Sequence, residues 1–409
     1  MTEATILPKC QECGHEQHWL GDHISEAHNL SLDDYLDQHP GSAVVSESVV
    51  ERLESKRLKR EHPPALDDLS VDICGISVPV NAMVPESACL KMPFMYAFPE
   101  HGELRVDVTE TTLALTMKRH SYLWGLSGTG KDGYVHAYCA RTRTPSLMFQ
   151  IVPGADIEPW LYAQGFNKDG TEWIEGDLLK AARDGFLCED GTRIPYLILI
   201  TDFDRATKSQ AEILRLILDS IEGRIPGPTG EVFKMLPGTT IVATANTAGG
   251  GDETRRYVSA NIMDTSILGR FKRKLQFHTM EWEDEGPILR NKFPLFAEKC
   301  EHLMDGIGAA TGALREKIHA GELFTEWSHR DICNFVEHAE DILRLVIARD
   351  PKAAIPEDLM IRAWRIVRDG MPDSETRLEA TRLASPHIPG GLIEAGDRTG
   401  DTKSDSLFG

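Results

Sequence analysis

Two groups of residues in this chain of 409 residues have the types and spacing to do chemistry. The first is Gly125-Leu-Ser127-Gly128-Thr129-Gly130-Lys131, which follows the apolar run SYLW and opens a helical pattern. Glycines in that context let backbone N–H groups close on phosphate oxygens, and the lysine reaches the β and γ phosphates. The next position, where a hydroxyl usually meets magnesium, holds Asp132. The second group is Cys10-x2-Cys13-x9-His23-x4-His28. Two thiolates and two imidazoles at this spacing predict a closed, tetrahedral zinc site. Such a site supplies folding energy to a unit too short to rest on a core of its own. Trp19, Leu20 and Ile24 are its expected apolar contacts, and His15 and His18 are read as surface residues rather than ligands.

These groups need elements to hold them. Short, bounded apolar runs recur at SYLWG, SLMFQIV, YLILIT and TTIVATA, as buried parallel strands do. Helical patterns separate them, notably KDGYVHAYCARTR and TKSQAEILRLILDSIEG. The alternation predicts an α/β fold: a parallel sheet flanked by helices. The expected organisation is a zinc finger over 1–40, a linker over 41–85 and a nucleotide-binding core over 86–280. A helical lid over 281–385 and a disordered tail over 386–409 complete it. Within the linker, SVVERLESKRLKRE reads as a charged helix ended by the prolines of HPPALDD.

The second half of a phosphate-loop site is an apolar strand with an acidic end, here Tyr196 to Thr201 followed by Asp202, Phe203 and Asp204. From about residue 90 to 385 the chain resembles the MoxR-type AAA+ ATPases, most closely the cobaltochelatase AAA+ subunits (CobS). The most specific segment is Ala243-Thr244-Ala245-Asn246-Thr247-x-Gly249-x-Gly251-Asp252-x-Thr254-x-x-Tyr257. The resemblance implies ATP and Mg²⁺ as ligands and a lid over the nucleotide. It puts Asn246 at the sensor that orients the attacking water. Arg270, in Gly269-Arg270-Phe271, matches the arginine that reaches a neighbouring subunit's γ-phosphate, and Arg330, in Ser328-His329-Arg330, matches the lid sensor. An arginine acting on a neighbour implies a homo-oligomeric ring, most often of six subunits. Family members commonly pair with a von Willebrand A-type protein. The amino-terminal cluster, with Leu30, Ser31 and Tyr35 after it, resembles the Ros/MucR-type finger.

Asp204-Arg205-Ala206 matches the family's Asn-Arg-Ala and fixes the register. Thr201 then falls on the usual magnesium-binding Asp, and Asp202 on the catalytic Glu. The hydroxyl missing at 132 stands at 201, and the carboxylate missing at 201 stands at 132. The two sides of one Mg²⁺ are thus exchanged, with Asp132 and Thr201 as its expected ligands. The alternative is lost function: an uncompensated Asp132 repels phosphate, and Asp202 is one methylene shorter than Glu. Normal hydrolysis and slow or absent turnover both stand at this point.

The segment from Val152 to Leu161 resembles one that carries a channel-facing loop in MoxR-type proteins, but Pro159 and Trp160 depart from that pattern and leave the loop's role open. Trp160 and Phe166 read either as partner contacts or as core. The formal charge of −20 opposes general nucleic-acid binding. Up to Val50, Lys9 is the sole Lys or Arg against nine Asp and Glu, so a protein contact is favoured over DNA for the finger. No run reaches the length of a membrane span, and MTEATILPKC lacks the layout of a secretory signal. A cytoplasmic location is expected. Three functions follow: an ATP-driven remodeller of a partner protein, a metal-chelatase motor subunit, and a non-hydrolysing ring acting as scaffold or DNA-associated adaptor.

Overall fold

A computed structural model of the chain describes residues 8–16, 20–28, 30–40, 42–44, 69–93, 96, 98–99, 104–167, 170–219, 223–251, 257 and 259–392. The expected helix over 48–61, Trp19 and His18, and the tail beyond 392 lie outside the described residues. The chain divides into two compact units, Met1–Leu69 and Ser70–Gly409. Among the described residues no helix is long and apolar enough to cross a membrane.

The larger unit is built on five strands, numbered here β1 (Ser121–Trp124), β2 (Ser146–Gln150), β3 (Leu197–Thr201), β4 (Thr240–Ala245) and β5 (Arg273–Gln276). They lie in the order β5-β1-β4-β3-β2, every neighbour parallel. Successive side chains point to opposite faces. Tyr122, Ile198, Ile200 and Ile241 enter one core with Leu178, Leu179 and Leu214. Leu123, Leu199 and Val242 enter the other with Leu115, Tyr134 and Val135. Burial on both faces explains why the central strands read as unbroken apolar runs.

The flanking helices are α1 (Val106–Thr116), α2 (Lys131–Thr142), α3 (Asp177–Asp184) and α4 (Lys208–Ile217). Helix α1 escapes the sequence pattern because threonines fill it. Their hydroxyls are satisfied locally: Thr111, Thr112 and Thr116 donate to the carbonyls of Asp107, Val108 and Thr112.

The linker expected over 41–85 needs correction. Strands Ser70–Ile73 and Ile76–Pro79 pair as an antiparallel hairpin, and Ile73 and Val78 are buried with α1 and α2 residues. The turn residues Cys74 and Gly75 have φ of 53° and 78°, the left-handed pair of a two-residue hairpin. Cysteine is an uncommon occupant there, so the turn carries no strong sequence signal.

The helical region consists of α5 (Trp282–Lys292), α6 (Pro294–His319), α7 (His329–Arg349), α8 (Leu359–Asp369) and α9 (Ser374–Ala384). Phe296, Leu314, Ile332, Phe335 and Trp364 are buried at its centre. The tail expected from 386 is also corrected in its first residues, because Ile388 and Leu392 are buried in this same core. Trp364 is 1 % exposed, and its indole N–H donates to Thr381 Oγ1 at 2.9 Å. Trp364→Ala is therefore expected to destabilise the chain by about 3–5 kcal/mol in denaturant unfolding. Phe166→Ala, at a residue 82 % exposed, is expected to stay within about 0.5 kcal/mol of the parent.

In the smaller unit, Gly21–His28 and Leu32–Gln38 are helical. Ser31 caps the second helix by accepting from the Asp34 N–H. Among the described residues of this unit, Cys10, Leu20, Ile24 and Tyr35 are buried together.

Candidate functional site

Strands β1, β4 and β3 are parallel neighbours, so their carboxyl ends share one edge of the sheet. The register sets Trp124 beside Ala245 and Ala243 beside Ile200. The glycine loop leaves β1, Thr201 and Asp202 end β3, and Asn246 follows β4. Three distant segments are thus brought to one place by strand pairing.

Gly130 (φ 88°) caps α2, and a Cβ added there would meet nothing within 4 Å. The space lies over the unpaired N–H groups of the first turn, the setting in which helices hold anions. Gly128 (φ 76°) serves another purpose. A Cβ there would lie 2.3 Å from Ser328 Oγ, so glycine is what lets α7 approach the loop. Lys131 is buried, and its ammonium donates to the Gly125 carbonyl at 2.8 Å and the Leu126 carbonyl at 2.9 Å. Burial holds its pKa down to about 8, partly offset by Asp132, Asp204 and Glu326.

A cavity of about 650 Å³ opens over this loop. Ser127, Gly128, Gly130, Lys131 and Asp132 line it from the loop and α2. Thr201 and Asp202 line it from β3, Asn246 from β4 and Arg330 from the start of α7. Thr129 faces an adjoining, more apolar cavity of about 190 Å³ that also takes in Tyr96, Tyr134 and Phe277. Gly125 belongs to the loop without lining either cavity, and Arg270 lines neither. The Arg270 guanidinium instead donates to the Ser266 carbonyl of its own chain.

Several residues of the site were not singled out from the sequence. Gln150 ends β2 opposite Thr201, and its amide donates to Asp202 Oδ2 at 2.8 Å. Asp202 has φ of 56°, a strained conformation that turns the chain sharply after β3. Asp204 is 1 % exposed. One of its oxygens accepts from the N–H groups of Asn246 and Thr247, at 3.0 and 2.9 Å, and from the Thr247 hydroxyl at 3.0 Å. Burial pushes its pKa up, against those hydrogen bonds. Asp204 had served only to fix a register; in space it clamps the turn that carries Asn246.

The helical region is tied to the loop. The Tyr257 hydroxyl accepts from Ser127 N–H at 2.9 Å and donates to Glu326. His329, which lines both cavities, sits 3.0 Å from Glu285 through Nδ1 and 3.3 Å from Cys333 Sγ through Nε2. Glu285 is fully buried and receives two bonds from Arg315, at 2.9 and 3.0 Å.

In the smaller unit, one ligand atom from each of Cys10, Cys13, His23 and His28 lies within 4.8 Å of the others. Cys10 Sγ is 3.5 Å from His28 Nε2, and Cys13 Sγ is 3.1 Å from His23 Nε2. Tetrahedral zinc bound by sulfur and nitrogen sets ligand atoms roughly 3.3–3.8 Å apart. The donor set fits zinc in type; of the two sulfur–nitrogen distances, 3.5 Å falls in that range and 3.1 Å is shorter. His15 stacks on His23 at 4.3 Å and is not one of the four.

A five-stranded parallel sheet of this order, a glycine-lysine loop leaving β1 and a helical region after β5 define an AAA+ P-loop core. Residues 120–263 match the family described as AAA domain (dynein-related subfamily). Among solved structures, a point mutant of RuvB from Thermotoga maritima is 13% identical over 66% of this chain and 71% of that one, with a TM-score of 0.41. NtrX from Brucella abortus in complex with ATP is 15% identical over 83% of this chain and 68% of that one, with a TM-score of 0.44. No curated protein sequence matches the chain.

The His329 network makes stability depend on pH. Burial alone would lower the pKa of His329, but Cys333 and Glu285 outweigh it and raise the value from 6.5 to about 9. A raised histidine pKa stabilises fully below the unfolded value and loses that contribution as pH climbs through the folded one. The unfolding free energy is expected to fall by on the order of 3 kcal/mol between about pH 6.5 and 9. In His329→Gln this slope should flatten when melts are compared across the same range.

Proposed function

We propose that this chain is a MoxR-type AAA+ ATPase, similar to CobS, that binds ATP with Mg²⁺ and assembles into a ring, most simply of six copies. Hydrolysis then drives remodelling of a partner protein. The observation that carries this reading is the convergence of Lys131, Asp132, Thr201, Asp202, Asn246 and Arg330 on one cavity.

In this reading the first turn of α2 and Lys131 receive the phosphates. Lys131 must exchange its bonds to the Gly125 and Leu126 carbonyls for phosphate oxygens. Asp132 and Thr201 offer a carboxylate and a hydroxyl in the same cavity, which fits one hard cation. That cation would neutralise charge on the β and γ phosphates. Asn246, held by its Asp204 clamp, orients the attacking water, and Asp202 takes its proton. Arg330 brings positive charge from the helical region. Arg270, outside the cavity of its own chain, is assigned to the next subunit's γ-phosphate. The zinc finger serves as a protein-contact or tethering module. A von Willebrand A-type partner and a cytoplasmic setting rest on the family resemblance and on the sequence alone, as does the chelatase-motor alternative.

A second reading is a nucleotide-stabilised ring that does not turn over, acting as a scaffold or DNA-associated adaptor. It is favoured by Asp202, whose short carboxylate is engaged by Gln150 at 2.8 Å and lies 4.0 Å from Arg205. A base held back in this way reaches water poorly.

Magnesium-dependent phosphate release separates the two. If hydrolysis occurs, Arg270→Ala is expected to lower kcat by about 10³-fold or more while nucleotide binding persists. Asp132→Ser and Thr201→Asp are each expected to weaken Mg²⁺-dependent turnover, and the double variant to recover above both. A double variant no better than the poorer single would refute the exchanged-ligand reading. For the finger, elemental analysis should find one zinc per chain, and Cys13→Ser should lose it without moving the unfolding of the larger unit.

A further inference from the structure

At the opposite end of the sheet, under the amino ends of β1, β4 and β5, lies a separate concavity of about 390 Å³. Its lining has the wrong sign for this chain. Among the described residues, Lys118, Arg119, Lys234 and Lys272 face it against a single carboxylate, Asp219, in a chain whose net charge is −20. The floor is the turn from Leu236 to Thr239 that leads into β4.

Three of these cations have no ion-pair partner among the described residues: Lys118, Arg119 and Lys272. Of the two acidic residues on α1, Asp107 is paired with Arg105 at 2.7 Å and Glu110 with Arg273 of β5 at 4.0 Å. Burial holds the Lys118 ammonium below its ordinary range, opposed by Cys139. Lys118 is half-buried, and Arg119, Lys234 and Lys272 are exposed to solvent.

The backbone is also set to present this side chain. Lys118 has φ of 53° and ends α1. Its N–H donates to the Leu115 carbonyl at 3.1 Å, and the Arg119 N–H donates to the Ala114 carbonyl at 2.9 Å. This is the left-handed helix-end position that glycine fills most easily. A lysine there takes on strain that glycine would avoid. His120 adds a donor rather than a charge. Its Nδ1 accepts from the Ile241 N–H at 3.0 Å, which leaves the proton on Nε2. Burial, then Lys272, hold its pKa down to about 4, so it stays neutral.

We propose that this concavity is a second anion site, distinct from the nucleotide cavity, that takes the di- or triphosphate group of a small ligand. A single phosphate is too small for a space of about 390 Å³. Among the described residues, four cations against one carboxylate suit a group carrying about three negative charges. A nucleic acid would need a continuous basic track along the surface, which the charge of −20 opposes. The site does not depend on the ATPase reading. It lies at the start of β1, the strand that runs directly into the glycine loop, so an occupant would stiffen the base of that loop.

The test is calorimetric titration of the full chain with tripolyphosphate, in the Lys131→Ala background to weaken the other phosphate cradle. Binding is expected in that background, and Lys118→Gln with Lys272→Gln should weaken it at least about tenfold. Lys118→Gly provides a control for misfolding, since glycine suits the left-handed backbone. It should keep or raise the melting temperature and still lose affinity. ADP titrated in parallel identifies the source of the phosphates. Tighter Lys118-dependent binding of ADP marks a nucleotide, and tighter binding of tripolyphosphate marks free polyphosphate; either supports the proposal. Binding that vanishes with Lys131→Ala alone would overturn it. So would affinity unchanged in both Lys118 variants, or a tetraglutamate peptide that binds more tightly than tripolyphosphate.

Discussion

The site depends on parallel pairing of β1, β4 and β3. Antiparallel pairing at any of these contacts would send one of the three segments to the far edge. With all strands pointing one way, the glycine loop, Thr201 with Asp202, and Asn246 arrive within one cavity. The alternation of Tyr122 with Leu123 and of Leu199 with Ile200 buries both faces. A slip of one residue would exchange those faces, so the hydrophobic pattern fixes the position of the polar residues at the strand ends. The same rule places cationic residues 118, 119 and 272 together at the amino ends.

Polar groups then hold the edge in shape. Asp204 spends one oxygen on three donors and so fixes the turn after β4. Glu285, without solvent exposure, is balanced by Arg315 and His329. A buried carboxylate of that kind is stable only while its partners remain, and removing one leaves a charge that low-dielectric surroundings penalise. The cluster therefore acts as a single joint between α5, α6 and α7.

Much of this arrangement was legible in the sequence. The four apolar runs became β1 to β4 almost residue for residue, because strands buried on both faces need unbroken apolar stretches. Lys131, Asp132, Thr201, Asp202, Asn246 and Arg330, far apart in the chain, line one cavity. The hairpin over 70–79 was missed because its turn is Cys74-Gly75, a pair with no strong hairpin signature. Helix α1 was missed because threonines break the apolar stripe while bonding to their own backbone. Gln150 and the Asp204 clamp depend on strand register and on a turn, which no local spacing encodes. The tail expected from 386 was read by composition, yet Ile388 and Leu392 find a core across the chain.

The Tyr257 hydroxyl occupies a position with a cost to any visitor. It accepts from the Ser127 N–H, a donor on the wall of the larger cavity, and donates to Glu326 just before α7. An anion that claims that N–H must evict the phenol, and the phenol is what joins the loop to Glu326. Filling the cradle at Ser127 would therefore compete with this tie, while Ser328 still lies against Gly128 of the same loop.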